Sequence, residues 1–329
     1  MITLFRRSAL AIALLLAFFP ATGLAVDYSA YDPGKYTKPR LTVRGEVIRR
    51  AACAVKDPSA LEKINAANID AAAAYHVPDL EAMGRITTYM ETVLAEAGVK
   101  LEEFQPKRWT DADLAKLTYA VAGDNTLSDA EKAEGWQLIF DGKSWDGWMN
   151  SREEASAAPV DQGCINPHKC GAYLMLYKEP QENFVLRFDF MTSPGANSGA
   201  FFRTWPIDHT NDIAYNGLEM QVLDSGLTGY NEAGALYDLV PNGKAAIKQA
   251  GQWNSAELTC NGAMISVVLN GEKVSEMNLD EWTTPGKRPD GTAHKFDTAW
   301  KDHFRKGYLG FQDHGAPVWY KNVKLKVLP

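Results

Sequence analysis

The sequence predicts an all-β second half, an antiparallel β-sandwich or jelly roll over residues 127–329, preceded by a small α-helical region over residues 26–126. Two observations carry this. From Gly135 to the end lie 20 of the 26 glycines and eight of the nine tryptophans. In the same half, short runs of alternating apolar and polar residues are separated by turn residues, whereas the first half is alanine-rich with helical spacing. Over the whole chain of 329 residues, 46% are apolar, 11% aromatic and 23% charged, which excludes a disordered, collagen-like or coiled-coil-only chain. A net charge of −7 gives no electrostatic reason to bind nucleic acid. A neutral or weakly anionic ligand suits this balance better.

Taken in order, Arg6-Arg7 precede the apolar run Ala9 to Phe19 and then Pro20-Ala-Thr-Gly-Leu-Ala25. A basic start, an apolar stretch too short to span a bilayer and small residues before a cleavage point read as a secretory leader over residues 1–25. The alternative is an uncleaved anchor. The mature chain is expected to be periplasmic or secreted and not inserted in a membrane. In such an oxidising place Cys164 and Cys170, flanking a five-residue loop, are candidates for a disulfide. A Cys-His-Cys zinc site through His168 is the sharper alternative. Cys53 and Cys260 read as buried free thiols.

Between about Gly45 and Ala122 three or four helices are expected. Pro58 opens one, with Ile64, Ala67 and Ala71 at helical spacing; Pro78 closes it; Leu80, Met83, Ile86, Met90 and Leu94 make the stripe of the next. No phosphate loop, haem-attachment pair or repeat appears here. This region is expected to pack or to mediate oligomers.

In the second half Asn183-Phe-Val-Leu-Arg-Phe-Asp-Phe190 alternates as a half-buried strand should, and Asn261-Gly262 and Asn270-Gly271 mark two hairpin turns. Three further stretches carry more polar function than strands need. In Asn197-Ser-Gly-Ala-Phe-Phe-Arg203, alternation places Asn197, Phe201 and Arg203 on one face, with Gly199 leaving space there. In Leu218-Glu-Met-Gln-Val-Leu-Asp224, Leu218, Met220 and Val222 form an apolar face while Glu219 and Gln221 point away from it. Asp224 lies too far along an extended strand to form a glycosidase carboxylate pair with Glu219. In Phe311-Gln-Asp-His-Gly315, Asp313 and His314 sit at a strand end, where an imidazole can transfer protons near neutrality. Each stretch has a plain structural reading: an Arg203–Glu219 ion pair, an Asp313-His314 loop tie, and Trp205, Trp253 and Trp319 in the core instead of under sugars.

These stretches, with Phe140-Asp-Gly…Gly147-Trp148 and the closing Gln312-Asp-His-Gly-Ala-Pro-Val-Trp319, resemble the 3-keto-disaccharide hydrolase domain family from about Leu127 to Leu328. Family members carry Phe-Arg-Asn-Ile near the C-terminus where this chain has Tyr320-Lys-Asn-Val323. The resemblance implies an antiparallel concanavalin-like or laminarinase-like β-sandwich that cleaves glycosides oxidised to a ketone at C3. It suggests Arg203, Glu219 and His314 as catalytic residues and Asn197, Gln221, Asp224, Asp313 and Tyr237 as substrate contacts. A C3 ketone acidifies the C2 proton, so His314 or Glu219 is the expected base and Arg203 or a divalent metal the expected stabiliser of the enolate. No cofactor is specified. The product is a hydrolysed sugar or, for a 1,2-lyase, an unsaturated one. The rivals are a lectin-like carbohydrate-binding module and an envelope structural protein.

Overall fold

Strand alternation builds the larger sheet. Along β4 (Phe184–Thr192) Phe184, Leu186, Phe188 and Phe190 are buried, while Arg187 is exposed and Asp189 half-buried. In the computed structural model, which describes residues 26–34, 36–76, 78–105 and 108–329, β4 lies between β7 (Asn254–Asn261) and β11 (Val318–Val327). The secretory-leader reading falls on residues 1–25, outside the described residues. The six-stranded sheet is completed by β1 (Gln137–Leu138), β8 (Met264–Leu269) and β9 (Glu272–Asn278), in the order β1-β11-β4-β7-β8-β9. The β8–β9 turn is Asn270-Gly271, with φ of 51° and 84°, the left-handed pair that matches strand twist in a two-residue hairpin.

The second sheet has five strands: β2 (Trp148–Asn150), β3 (Leu174–Tyr177), β5 (Asn197–Thr204), β6 (Leu218–Leu223) and β10 (Tyr308–Gln312), in the order β2-β3-β10-β5-β6. All pairings are antiparallel. Between the sheets Trp148, Phe188, Phe190, Phe311 and Tyr320 form an aromatic core, Phe311 and Tyr320 stacking at 3.9 Å. The buried Tyr320 hydroxyl pairs with Ser198 Oγ at 2.7 Å, so it is not left unsatisfied. The chain is thus an all-β sandwich with helices before it.

Those helices are α1 (Lys38–Ala52), α2 (Pro58–His76), α3 (Leu80–Glu96) and the short α4 (Asp111–Leu114) and α5 (Asp129–Ala133). Ile48, Ala51, Ile64, Ala67, Met90 and Leu94 form their own core, joined by Leu227 from the sandwich. Polar contacts also cross the joint between the two parts, beside the packing of Trp109, Leu114 and Tyr119 on Met191 and Trp319. Arg49 Nε reaches the buried Glu232 at 3.1 Å, Arg50 Nε reaches Asp224 at 3.2 Å, and Asn68 Nδ2 donates to Glu232 Oε1 at 2.8 Å. Among the described residues no helix is long and apolar enough to cross a membrane.

The cysteine expectations need correction. Cys164 and Cys170 are free, and they sit in different packed clusters, Cys164 beside Met191 and Trp319, Cys170 in the main core. His168 turns instead to Asp313, with Nδ1 3.3 Å from its carboxylate. Among the described residues no group of three or more His, Cys, Asp and Glu side chains is arranged for a metal. Cys53 is free and half-buried, and Cys260 free and buried; burial pushes the Cys260 thiol up to about 12.

Candidate active site

The site is built on the outer face of the five-stranded sheet. Register sets Gly199 opposite Gln221 and Phe201 opposite Glu219. Leu218, Met220 and Val222 face the core, so Glu219 and Gln221 must face outward. Beyond β6 the chain adds one more extended piece: Gln221 N–H donates to Ala235 O, Tyr237 N–H donates to Glu219 O, and Met220 bridges Leu236. Tyr237 therefore stands beside Glu219 on the same face.

Glu219 is only 8% exposed. Its carboxyl lies across Gly199, where a Cβ would overlap the carboxylate, so the space that glycine leaves is filled by the acid itself. Among the described residues no group donates a hydrogen bond to this carboxylate. Burial therefore pushes its pKa well above the usual carboxylate range, and the positive charge of Lys295 partly opposes that rise. Lys295 Nζ lies 4.2 Å from the Tyr237 ring centroid and 5.0 Å from those of Tyr215 and Phe296. Its own pKa is lowered by burial, against the pull of Glu219 and Asp238. Here are a base and an acid moved towards each other's range by desolvation.

Neutral donors surround the pair. Burial, and then the Glu219 charge, raise the phenols of Tyr173 and Tyr237 above the ordinary tyrosine value, so both keep their protons. Gln312 Nε2 donates to the Tyr173 hydroxyl, and Gln312 Oε1 is buried without a partner among the described residues. Gln221 Nε2 donates to Asn197 Oδ1 at 2.7 Å.

Comparison with known proteins gives the family. Residues 135–326, more than half of the chain, match the model of the 3-keto-alpha-glucoside-1,2-lyase-like domain. The chain belongs to that family. A 3-keto-disaccharide hydrolase of Bacteroides thetaiotaomicron is 26% identical over 230 residues, covering 60% of this chain and 79% of the relative. A crystal structure from Parabacteroides distasonis, described as a glycosyl hydrolase, is 28% identical with a TM-score of 0.52, covering 59% of this chain and 99% of that one. A second from the same organism, described likewise, is 25% identical with a TM-score of 0.49, covering 63% and 100%.

Within this 3-keto-alpha-glucoside-1,2-lyase-like domain, the residues singled out from the sequence divide. Glu219, Gln221, Asn197 and Tyr237 come together. Arg203 does not. It has φ of 51°, and the β5–β10 register shifts beside it. That irregularity breaks the alternation and sends the fully buried guanidinium to the carbonyls of Glu182 (3.0 Å) and Gly262 (2.8 Å), at the edge of the other sheet. Arg203 forms no ion pair with Glu219. Arg203→Met is expected to lower the melting temperature, because two carbonyls lose their donor, and to leave kcat of the folded protein within about threefold. A thousandfold loss of kcat at unchanged stability would return Arg203 to the chemistry.

Asp224 is also held elsewhere, accepting from Gly195 N–H at 2.8 Å and pairing with Arg50. Asp313 accepts from the backbone N–H of Lys169 (3.0 Å) and Gly315 (2.8 Å), so it ties a loop and does not orient His314. His314 is exposed beyond the end of β10. Trp319 is buried, stacked on Tyr119 at 4.5 Å; Trp253 lies under Lys321 at 4.1 Å; Trp205 is exposed and stacks on Tyr308 at 6.2 Å. Lys321, which stands where family members carry arginine, pairs with Asp124 at 2.6 Å.

Lys295, Tyr173 and Tyr215 escaped the sequence reading. Lys295 lies in the irregular stretch between β9 and β10, Tyr173 just before β3 and Tyr215 in a 3₁₀ turn, and no periodicity marks such positions. A groove of about 600 Å³ lies on the outside of the six-stranded sheet, between Arg187, Asp189, Glu257 and Lys324. Its Arg187 and Lys324 are both paired at 2.6 Å, with Glu257 and Glu131, which leaves the unbonded acid on the opposite sheet.

Proposed function

We propose that this protein cleaves glycosides whose sugar carries a ketone at C3, with Glu219 as the base and Lys295 as the group that holds the developing charge. The observation that carries the reading is a desolvated carboxylate, without a hydrogen-bond donor among the described residues, beside an ammonium caged by aromatic rings. Family membership and the named activity of the Bacteroides relative support a hydrolase acting on glycosidic bonds.

The chemistry needs one base and one cation. The Glu219 carboxylate takes the C2 proton, and its electron pair moves into the C2–C3 bond, placing negative charge on the C3 oxygen. The Lys295 ammonium takes the place that the sequence had suggested for Arg203 and stabilises that oxygen. As the enolate collapses, the C1–O bond breaks. The leaving oxygen is protonated by the carboxylic acid just formed at Glu219, or by a neighbouring phenol, Tyr237 or Tyr173. The products are an alcohol and a 1,2-unsaturated 3-keto sugar. Water adding back across that double bond completes a net hydrolysis; without it the protein is a 1,2-lyase. Gln221, Asn197 and Gln312 supply hydrogen bonds for the sugar hydroxyls. The Arg6-Arg7 leader pattern supports action in the periplasm or outside the cell.

The test is alcohol release from a 3-keto-glucoside set against its unoxidised parent, with C2 deuterium exchange followed in heavy water. Release and exchange with the ketone alone are expected. Binding of both sugars with turnover of neither would favour a lectin-like module.

A further inference from the structure

Lys295 lies outside the strands of both sheets, so its place over the Tyr237 ring has to be fixed by other contacts. Its backbone N–H donates to Asp238 Oδ2 at 2.8 Å. Asp238 directly follows Tyr237, whose own N–H donates to Glu219 O. The other carboxylate oxygen of Asp238 accepts from Arg288 Nη2 at 3.1 Å. That same nitrogen donates to Asp238 O at 2.8 Å, and Arg288 Nε donates to Leu239 O at 3.2 Å. Arg288 Nη1 turns the other way, to Thr292 Oγ1 at 3.2 Å and to Ala293 O, two residues before Lys295. One guanidinium therefore grips two segments at once, the one that carries Tyr237 and the one that carries Lys295. The Tyr230 ring covers it, with Cζ 3.8 Å from the ring centroid, and both Arg288 and Asp238 are buried. Asp238 also holds a left-handed φ of 58°, a conformation that surrounding contacts have to impose on a side-chain-bearing residue.

We propose that Arg288 is a positioning residue: by tying the Lys295 segment to the Tyr237 segment, it sets where the Lys295 ammonium stands. This rests on the reading above, in which that ammonium holds the charge developing on the C3 oxygen. A buried ion pair contributes little net stability, because desolvation offsets the attraction. A planar fork that bonds carbonyls on two segments instead fixes geometry, which the flexible four-carbon stem of Lys295 cannot do for itself. A donor displaced by a fraction of an ångström stabilises a developing oxyanion far less, so the tie acts on the transition state more than on binding. Lysine at position 288 would keep the charge opposite Asp238, but a single ammonium cannot span both segments.

The experiment is a double-mutant cycle on the full chain, with kcat and KM for a 3-keto-glucoside measured in wild type, Arg288→Lys, Lys295→Met and the double variant. Arg288→Lys is expected to lower kcat by about tenfold to a hundredfold and to leave KM within about threefold. In the Lys295→Met background the same change is expected to lower kcat by less than about twofold, because no ammonium remains to be misplaced. An equal loss in both backgrounds, or no loss in a folded Arg288→Lys protein, would overturn the role of Arg288 while the reaction stands. Should Arg288→Lys fail to fold, Asp238→Asn takes its place in the cycle with the same outcomes. Asparagine tolerates the left-handed backbone, and its one amide oxygen cannot accept from Lys295 and Arg288 together. A Lys295→Met protein with wild-type kcat would overturn the part given to Lys295, and the role of Arg288 with it.

Discussion

Glu219→Gln lowers kcat on a 3-keto-glucoside by about a thousandfold or more, the range expected when a positioned base is lost. The substitution keeps the shape of a side chain packed across Gly199 and removes only its ability to take a proton. It also has a stability signature. In the folded wild type the raised Glu219 pKa means that the folded state binds more protons than the unfolded state above the usual carboxylate range. Wild-type stability therefore falls as pH rises through that window, while the glutamine variant has no such group to ionise. The variant is expected to match or exceed the wild-type melting temperature at pH 8, and to lose C2 deuterium exchange together with turnover. A glutamine variant that still turns over within tenfold of wild type would remove Glu219 from the reaction.

Lys295→Met lowers kcat/KM by about a hundredfold to a thousandfold, the usual effect of deleting one donor to a developing oxyanion. The pH profile separates this from simple damage. The proposed reaction needs Glu219 ionised and Lys295 protonated. The wild-type bell therefore rises above the ordinary carboxylate range and falls below the ordinary lysine range. Lys295 is the charge that pulls the Glu219 pKa down, so its removal moves the rising limb to higher pH. The falling limb, if set by Lys295, disappears. Rate profiles of the two proteins against pH check both points. A rising limb that stays in place or moves to lower pH would show that the two groups do not face each other.

How much of this was legible beforehand follows from where each residue sits. Glu219 and Gln221 could be read as outward-facing because Leu218, Met220 and Val222 mark the buried side of a regular strand. Their neighbour Asn197 followed from the same rule on β5, and hydrogen-bonds Gln221 as a shared face requires. Arg203 obeyed that rule on paper and broke it in the fold, because one left-handed residue at a register shift turns the side chain towards the other sheet. Asp313 and His314, adjacent in sequence, were expected as a pair; backbone amides of Lys169 and Gly315 claim the Asp313 carboxylate first.

By itself the sequence determined the antiparallel sandwich with helices before it, its hairpin turns and the family. Periodicity, turn chemistry and motif order are local properties that a linear string records in full. Only the tertiary structure decided that Lys295 lies near enough to Glu219 for its charge to act there, and that Arg203 and Asp224 are held elsewhere. Those outcomes depend on which irregular segments lie over which strands. The charge of a carboxylate responds to the water and ions displaced around it, and neither is encoded at its own position in the chain.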